Sequence, residues 1–245
     1  MHALANLLML AGVVLALAGW WKGDALPDPR RIQPELRFDP VQEATRAAPF
    51  TTEVGGITYR VEPQFSYEIS GLVVSRHHAD SWLDYLHKQW DDHLNVADIC
   101  VLWGPNVLDD LYHEFSFSSG QFTCNFQTRS TEAWHRFNLA AISNNHLLTD
   151  DPYIADAIRG AHIGDQVRFR GYLASYSHDG GFRRGTSTTR IDKGNGACET
   201  VWVQDFEVLH RANTHWRLLT WAGLGALALG LLLWVLAPVR PKYRA

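Results

Sequence analysis

Cys198 is the residue of this chain whose type and setting come nearest to covalent chemistry. It stands in Gly194-Asn-Gly-Ala-Cys-Glu, just ahead of the apolar run Val201-Trp-Val203, where glycines permit unusual backbone angles and the close approach of another group. A thiol attacks as its thiolate, so it needs a base or a depressed pKa. His146 and His178 are the bases the sequence offers, and Arg184 or Arg190 would steady an anion. Against that reading, Glu199 is the only ionisable neighbour in sequence and would raise the thiol's pKa. A small core residue at a strand start, or half of a disulfide, is the preferred expectation, with no catalytic residue assigned.

Other residues carry weaker signals. His146, in Ser143-Asn-Asn-His-Leu147, reads as a structural hydrogen-bonding hub. The loop at residues 182–190 is rich in Arg, and Arg183, Arg184 and Arg190, with Asn145, are the ligand-binding candidates for an anionic headgroup or a carboxylate. A solvated hairpin whose arginines pair with surplus acids is the plainer alternative. Asp84, His87 and Asp91 lie near one face of an expected helix and would suit a metal. A solvated face with an Asp84–Lys88 pair accounts for the same residues, and neither metal nor cofactor is expected. Cys100, Cys124 and Cys198 leave one thiol over. Cys124 and Cys198 are the expected pair in an oxidising compartment, with Cys100 packed as a hydrophobe in Ile99-Cys-Val-Leu-Trp103.

Strands with period-two alternation are expected at residues 57–61, 67–74, 98–103, 164–176 and 199–209, with a hairpin around residues 118–120. Phe206 breaks the alternation of Val201 and Val203, implying a bulge near Gln204-Asp205. Residues 80–94 change period. Trp82, Leu86, Trp90 and Leu94 recur every fourth residue, predicting an amphipathic helix with those side chains inward and Asp84, His87, Lys88 and Asp91 outward. Asp150 or Asp151 caps a second short helix from Pro152. That helix feeds Gly164-Asp165 and a long strand, a step resembling the one in small OB-type barrels. The fold class is therefore α+β, with a small antiparallel, partly barrel-like (OB-like) sheet and one packed amphipathic helix, flanked by two transmembrane helices.

Residues 1–21 and 216–238 are the two apolar stretches, each near the ~20 residues that cross a bilayer. Residues 22–54, rich in proline, read as a stalk, residues 55–212 as the globular domain, and residues 239–245 as a basic cytoplasmic tail. All 26 acidic residues fall between the anchors, and three of the 22 basic ones, Arg240, Lys242 and Arg244, lie in the tail. The segment between the anchors is thus net acidic, which argues against nucleic acid as a partner. Flanking charges point both ways, and the favoured placement is a bacterial inner membrane with the domain in the periplasm. The bilayer and an envelope protein are the expected partners.

The blocks Ser143-Asn-Asn-His-Leu, Gly164-Asp-Gln-Val-Arg-Phe-Arg-Gly-Tyr-Leu and Arg190-Ile-Asp-Lys-Gly-Asn-Gly-Ala-Cys-Glu resemble those of an uncharacterised family of bacterial membrane-anchored proteins. The resemblance spans residues 57–209 and implies no activity. The functional expectation is a non-catalytic binding or assembly module, the alternative a membrane-anchored cysteine hydrolase or transferase using Cys198 with His146 or His178.

Overall fold

The structure is a computed structural model that describes residues 1–82, 84–120, 122–189 and 198–238. Two compact units make up the chain: Met1–Ala25 with Asn213–Ala245, and Leu26–Ala212.

The first unit is a pair of helices, α1 (His2–Gly23) and, at the other end of the chain, α6 (Thr214–Leu236), both long and apolar enough to cross a membrane. They pack through small residues. An added Cβ at Gly12 would lie 2.7 Å from the Gly223 carbonyl oxygen, and one at Gly19 2.5 Å from that of Trp216. Gly230 is equally close to Ala5 and Met9. Glycine every seventh residue on each helix lets the backbones approach where apolar burial against lipid supplies little drive. Lys22 lies over the Trp216 ring at 4.7 Å.

The second unit is a sheet domain. Its strands are β1 (Val41–Ala44), β2 (Phe50–Val54), β3 (Ile57–His78), β4 (Asn95–Leu102), β5 (Ser116–Gly120), β6 (Thr123–Gln127), β7 (Ile142–Leu148), β8 (Gln166–His178), β9 (Arg183–Arg184) and β10 (Glu199–His210). Between them lie α2 (Leu86–Gln89), α3 (Pro105–Leu108), α4 (Thr131–Arg136) and α5 (Pro152–Arg159). Hydrogen bonding runs β3–β4–β7–β10–β8 and returns from β8 to β3, closing a ring of five strands. Only β7–β10 is parallel among these pairs. α5, capped by the Asp151 carboxylate on the amides of Tyr153 and Ile154, connects β7 to β8.

Alternation decides what each face of the ring meets. Ile69, Val73, Ile99, Val101, Leu147, Val167, Phe169, Leu173, Val201, Val203 and Phe206 form one core cluster with α5. The opposite face of β3 and β4, with Leu72, Val74, Cys100 and Leu102, is covered by residues 105–137 and by Ile32 and Leu36. The expected bulge is present as a register shift between Val203 and Asp205. It sits opposite Gly171, where a Cβ would come within 1.8 Å of the Trp202 carbonyl oxygen.

Several expectations are corrected. The strands at residues 57–61 and 67–74 are one strand, β3, bent at a register shift near Pro63. The proline-rich segment does not stand free. Leu36 is fully buried, its carbonyl accepts the Gly104 amide at 2.8 Å, the Tyr112 hydroxyl donates to the Pro27 carbonyl, and β1 pairs with β3. Cys124 bonds Cys100 rather than Cys198, across a Cα–Cα distance of 5.9 Å. The β5–β6 hairpin packs on the outer face of β4, the face on which Cys100 lies, whereas Cys198 precedes β10 and stays a free thiol. At α4, Trp134 is half exposed, while Phe137, which follows the helix, is buried.

The largest correction concerns residues 80–94. Among the described residues only α2 is helical there, and the expected faces hold in part: Leu94 is buried and Lys88 and Asp91 are exposed, but Asp84 and His87 turn inward, Trp82 is 84% exposed and Trp90 38%. A four-residue helix cannot hold an i, i+4 stripe against the sheet. Polar partners beneath the segment decide which side faces in.

Candidate functional site

Beneath residues 77–98 runs a chain of buried polar side chains, each bonded to the next. The His77 Nε2–H donates to Asp84 Oδ2 at 2.6 Å, and His87 donates to the same oxygen through Nδ1 at 2.7 Å. The His87 backbone amide donates to Asp84 Oδ1 at 3.0 Å. Asn95 Nδ2 bridges onward, lying 2.9 Å from both His87 Nε2 and Asp98 Oδ1. Asp98 Oδ1 accepts from His146 Nδ1 at 2.5 Å, and Arg184 donates to His146 Nε2 at 2.5 Å. Proton positions follow from the donors with no alternative role. An arginine N–H aimed at Nε2 leaves the His146 proton on Nδ1, and the Asn95 amide does the same for His87.

Strand register explains why these residues meet. His77 lies opposite Asp98 on β3 and β4, and Asp98 lies opposite His146 on β4 and β7. Arg184 on β9 reaches in from the neighbouring edge, its guanidinium 4.1 Å from the Phe122 ring centroid. Phe122 caps the chain: its amide donates to Asp98 Oδ2 at 3.2 Å, and its ring packs against His87, His146 and Trp90. Its φ of 61° is the strained price of that position.

The electrostatics agree with these assignments. Burial pushes His146 below its ordinary value, against the pull of Asp98, so the ring is neutral. Burial acts to raise the Asp98 carboxyl, but His146, Asn95 and Arg184 outweigh it and hold the group down to about 2. Asp84 is likewise lowered, the bonds from His77 and His87 outweighing burial. Asp92, almost wholly buried, is raised by desolvation although the Tyr176 hydroxyl donates to its Oδ2 at 2.7 Å. Asp92 Oδ1, Asn95 Oδ1, Asn144 Oδ1 and Asn145 Oδ1 have no hydrogen-bond partner.

The sequence-expected residues divide. Cys198 is half-buried; its Sγ accepts from Asn144 Nδ2 at 3.6 Å and donates to the Phe122 carbonyl at 3.4 Å. Burial raises its thiol, with Asn144 and Arg184 opposing. Neither expected base serves it. His146 has both nitrogens engaged, and His178 lies on the Trp90 carbonyl at 2.8 Å and the Gly180 amide at 3.0 Å. Of the ligand-binding candidates, Arg184 belongs to the buried chain and Arg183 is exposed beside Glu62 at 3.6 Å. Asn145 is fully buried and donates to the Ile99 and Ser143 carbonyls. Arg190 lies outside the described residues, as does the tail at residues 239–245. Asp91, grouped with Asp84 and His87 by helical spacing, turns the chain at φ 49° instead, and His77 takes its place.

Asp98, Asn95, Asp92 and Tyr176 escaped the sequence reading. The legible hint was Asp98 at the head of the run Ile99-Cys-Val-Leu, where a charge inside a buried strand demands partners. Above the chain the surface is aromatic: Trp82, Tyr85 and Trp90 are exposed, and Trp90 extends through Phe182 to His178. No family model, curated protein or solved structure matches this chain.

Proposed function

We propose that the protein is a membrane-anchored, non-catalytic binding module that docks an envelope protein through the aromatic surface of residues 79–94 and the adjoining loop at residues 179–189. The observation that carries this is the partly inverted segment: Trp82 at 84% and Tyr85 at 64% exposure stand on a stretch pinned from below by Asp84 and His87. Large aromatic side chains on a rigid mount are the residues that dominate protein interfaces. A monomer gains nothing by exposing them.

Topology supports the same place. The order of the five ring strands, the one parallel pair between the third and fifth, and a helix between the third and fourth fit an OB-like barrel. Such barrels bind through the loops joining strands one and two and strands four and five, which among the described residues are here 79–94 and 179–189. The disulfide between Cys100 and Cys124 supports an oxidising compartment, hence the periplasmic side of a bacterial inner membrane. The engaged nitrogens of His146 and His178 weigh against the cysteine hydrolase.

Cross-linking in intact membranes tests the reading. A photoreactive residue at Tyr85 should give a discrete protein adduct that weakens at least tenfold in Trp82→Ala. Absence of any adduct from residues 82, 85 and 90, in a protein that reaches the membrane folded, would overturn it.

A further inference from the structure

We propose that His77, Asp84 and His87 form a binding site for a divalent transition-metal ion of the zinc class. His77 Nε2, an Asp84 carboxylate oxygen and His87 Nδ1 all lie within 4.8 Å of one another. A tetrahedral ion with bonds of about 2.0–2.1 Å needs its donors about 3.4 Å apart. Asp84 Oδ2 is 2.6 and 2.7 Å from the two nitrogens, so the three atoms already converge, and sub-ångström separation would admit the ion. Two imidazoles and one carboxylate are a donor set suited to Zn²⁺, Co²⁺ or Ni²⁺. Asp84 and His87 project from one turn at i, i+3, and His77 from the end of β3, so sheet and helix both contribute.

Charge points the same way. Asp84 is fully buried, yet its ion-pair partners are two imidazoles, and the guanidinium on the polar chain, Arg184, is spent at the far end on His146 beside Asp98. A cation between Asp84 and the imidazoles would set a full positive charge against the carboxylate, where three hydrogen bonds now serve it.

The surroundings of His87 give an independent indication. Binding through Nδ1 moves the ring proton to Nε2, where a ligating histidine ordinarily finds a carboxylate or carbonyl acceptor. Asp92 Oδ2 lies 3.8 Å from that nitrogen, and Asp92, 2% exposed, keeps Oδ1 without a partner. Asn95, whose amide lies 2.9 Å from Nε2, also leaves its Oδ1 unpartnered. Both side chains are thus underused around a metal-free His87 and acquire a role when the ion takes Nδ1. Three protein ligands leave a fourth position, and His77, with 19% of its side chain exposed, is the edge from which water reaches it.

The test uses the full chain in detergent, stripped with chelator, and titrated with Co²⁺ and then Zn²⁺. The expected result is one equivalent of Co²⁺ with the intense visible bands of a tetrahedral site, displaced by Zn²⁺. His77→Ala, the least buried ligand, and the near-isosteric Asp84→Asn should each lower affinity at least a hundredfold while the metal-free protein keeps its native near-UV circular dichroism. Asp92→Asn, a positioning change, should lower affinity about tenfold while keeping the tetrahedral spectrum. Weak, octahedral-type Co²⁺ spectra that persist in His77→Ala and Asp84→Asn would mean an adventitious ion only. That result, or no stoichiometric uptake by the folded protein, would overturn the proposal.

Discussion

Cys198 and His146 show how neighbours decide what a reactive side chain does. A thiol raised by burial, next to a carbonyl acceptor and without a free imidazole, is a poor nucleophile near neutral pH. Iodoacetamide should therefore alkylate Cys198 in the folded protein at least tenfold more slowly than in urea. Fast labelling that His146→Ala abolishes would restore the hydrolase. His146 carries the pH dependence. Its folded pKa is lowered, so the unfolded chain binds the extra proton first, and stability falls as pH drops below about 6.5. Asp98, held to about 2, adds a second loss as pH falls from about 4 toward that value. Acid titration followed by near-UV circular dichroism should show both windows, and His146→Gln should erase the upper one and shrink the lower, since His146 is the main group that holds Asp98 down.

At the scale of elements, the partly inverted segment at residues 79–92 separates two kinds of tryptophan. Trp103 is fully buried in the ring core, so Trp103→Ala should cost about 3–5 kcal/mol. Trp90, expected to match it, is 38% exposed and stacks on Phe122 at 5.4 Å. Trp90→Ala should cost only about 1 kcal/mol, since removing a solvent-side ring leaves no closed cavity. Urea melts of the two variants would reverse the assignment if Trp90→Ala proved the more damaging. The same logic makes Gly171→Ala severe, because its Cβ would have to displace the Trp202 backbone where β8 crosses β10.

For the whole molecule, two apolar helices at the two ends oblige the intervening domain to lie on one side of any membrane both cross. Their glycine seam packs them as a pair. With the domain outside, alkaline phosphatase inserted at residues 45–49 should be active in cells and a cytoplasmic reporter at the same site silent. The opposite pattern would reverse the orientation and leave the disulfide without its compartment. Surface acidity remains as the sequence shows it, with every carboxylate between the helices.

Local pattern by itself determined the two apolar helices, the cap at Asp151, the bulge opposite Gly171 and the core positions of β8 and β10. Each depends on period, composition or a neighbouring residue, and so is written where it acts. Pairing across the sheet was not. That Cys100 takes Cys124, that Asp98 meets His77 on one side and His146 on the other, and that Asp84 and His87 turn inward all depend on register between strands ~20–50 residues apart in sequence, for which the chain carries no local mark. An i, i+4 apolar spacing at residues 82–94 was a sound helical signal. It was overridden because burying two carboxylate–imidazole pairs against ready partners on β3 and β4 stabilises the segment more than burying Trp82 would, and only the tertiary structure brings those partners together.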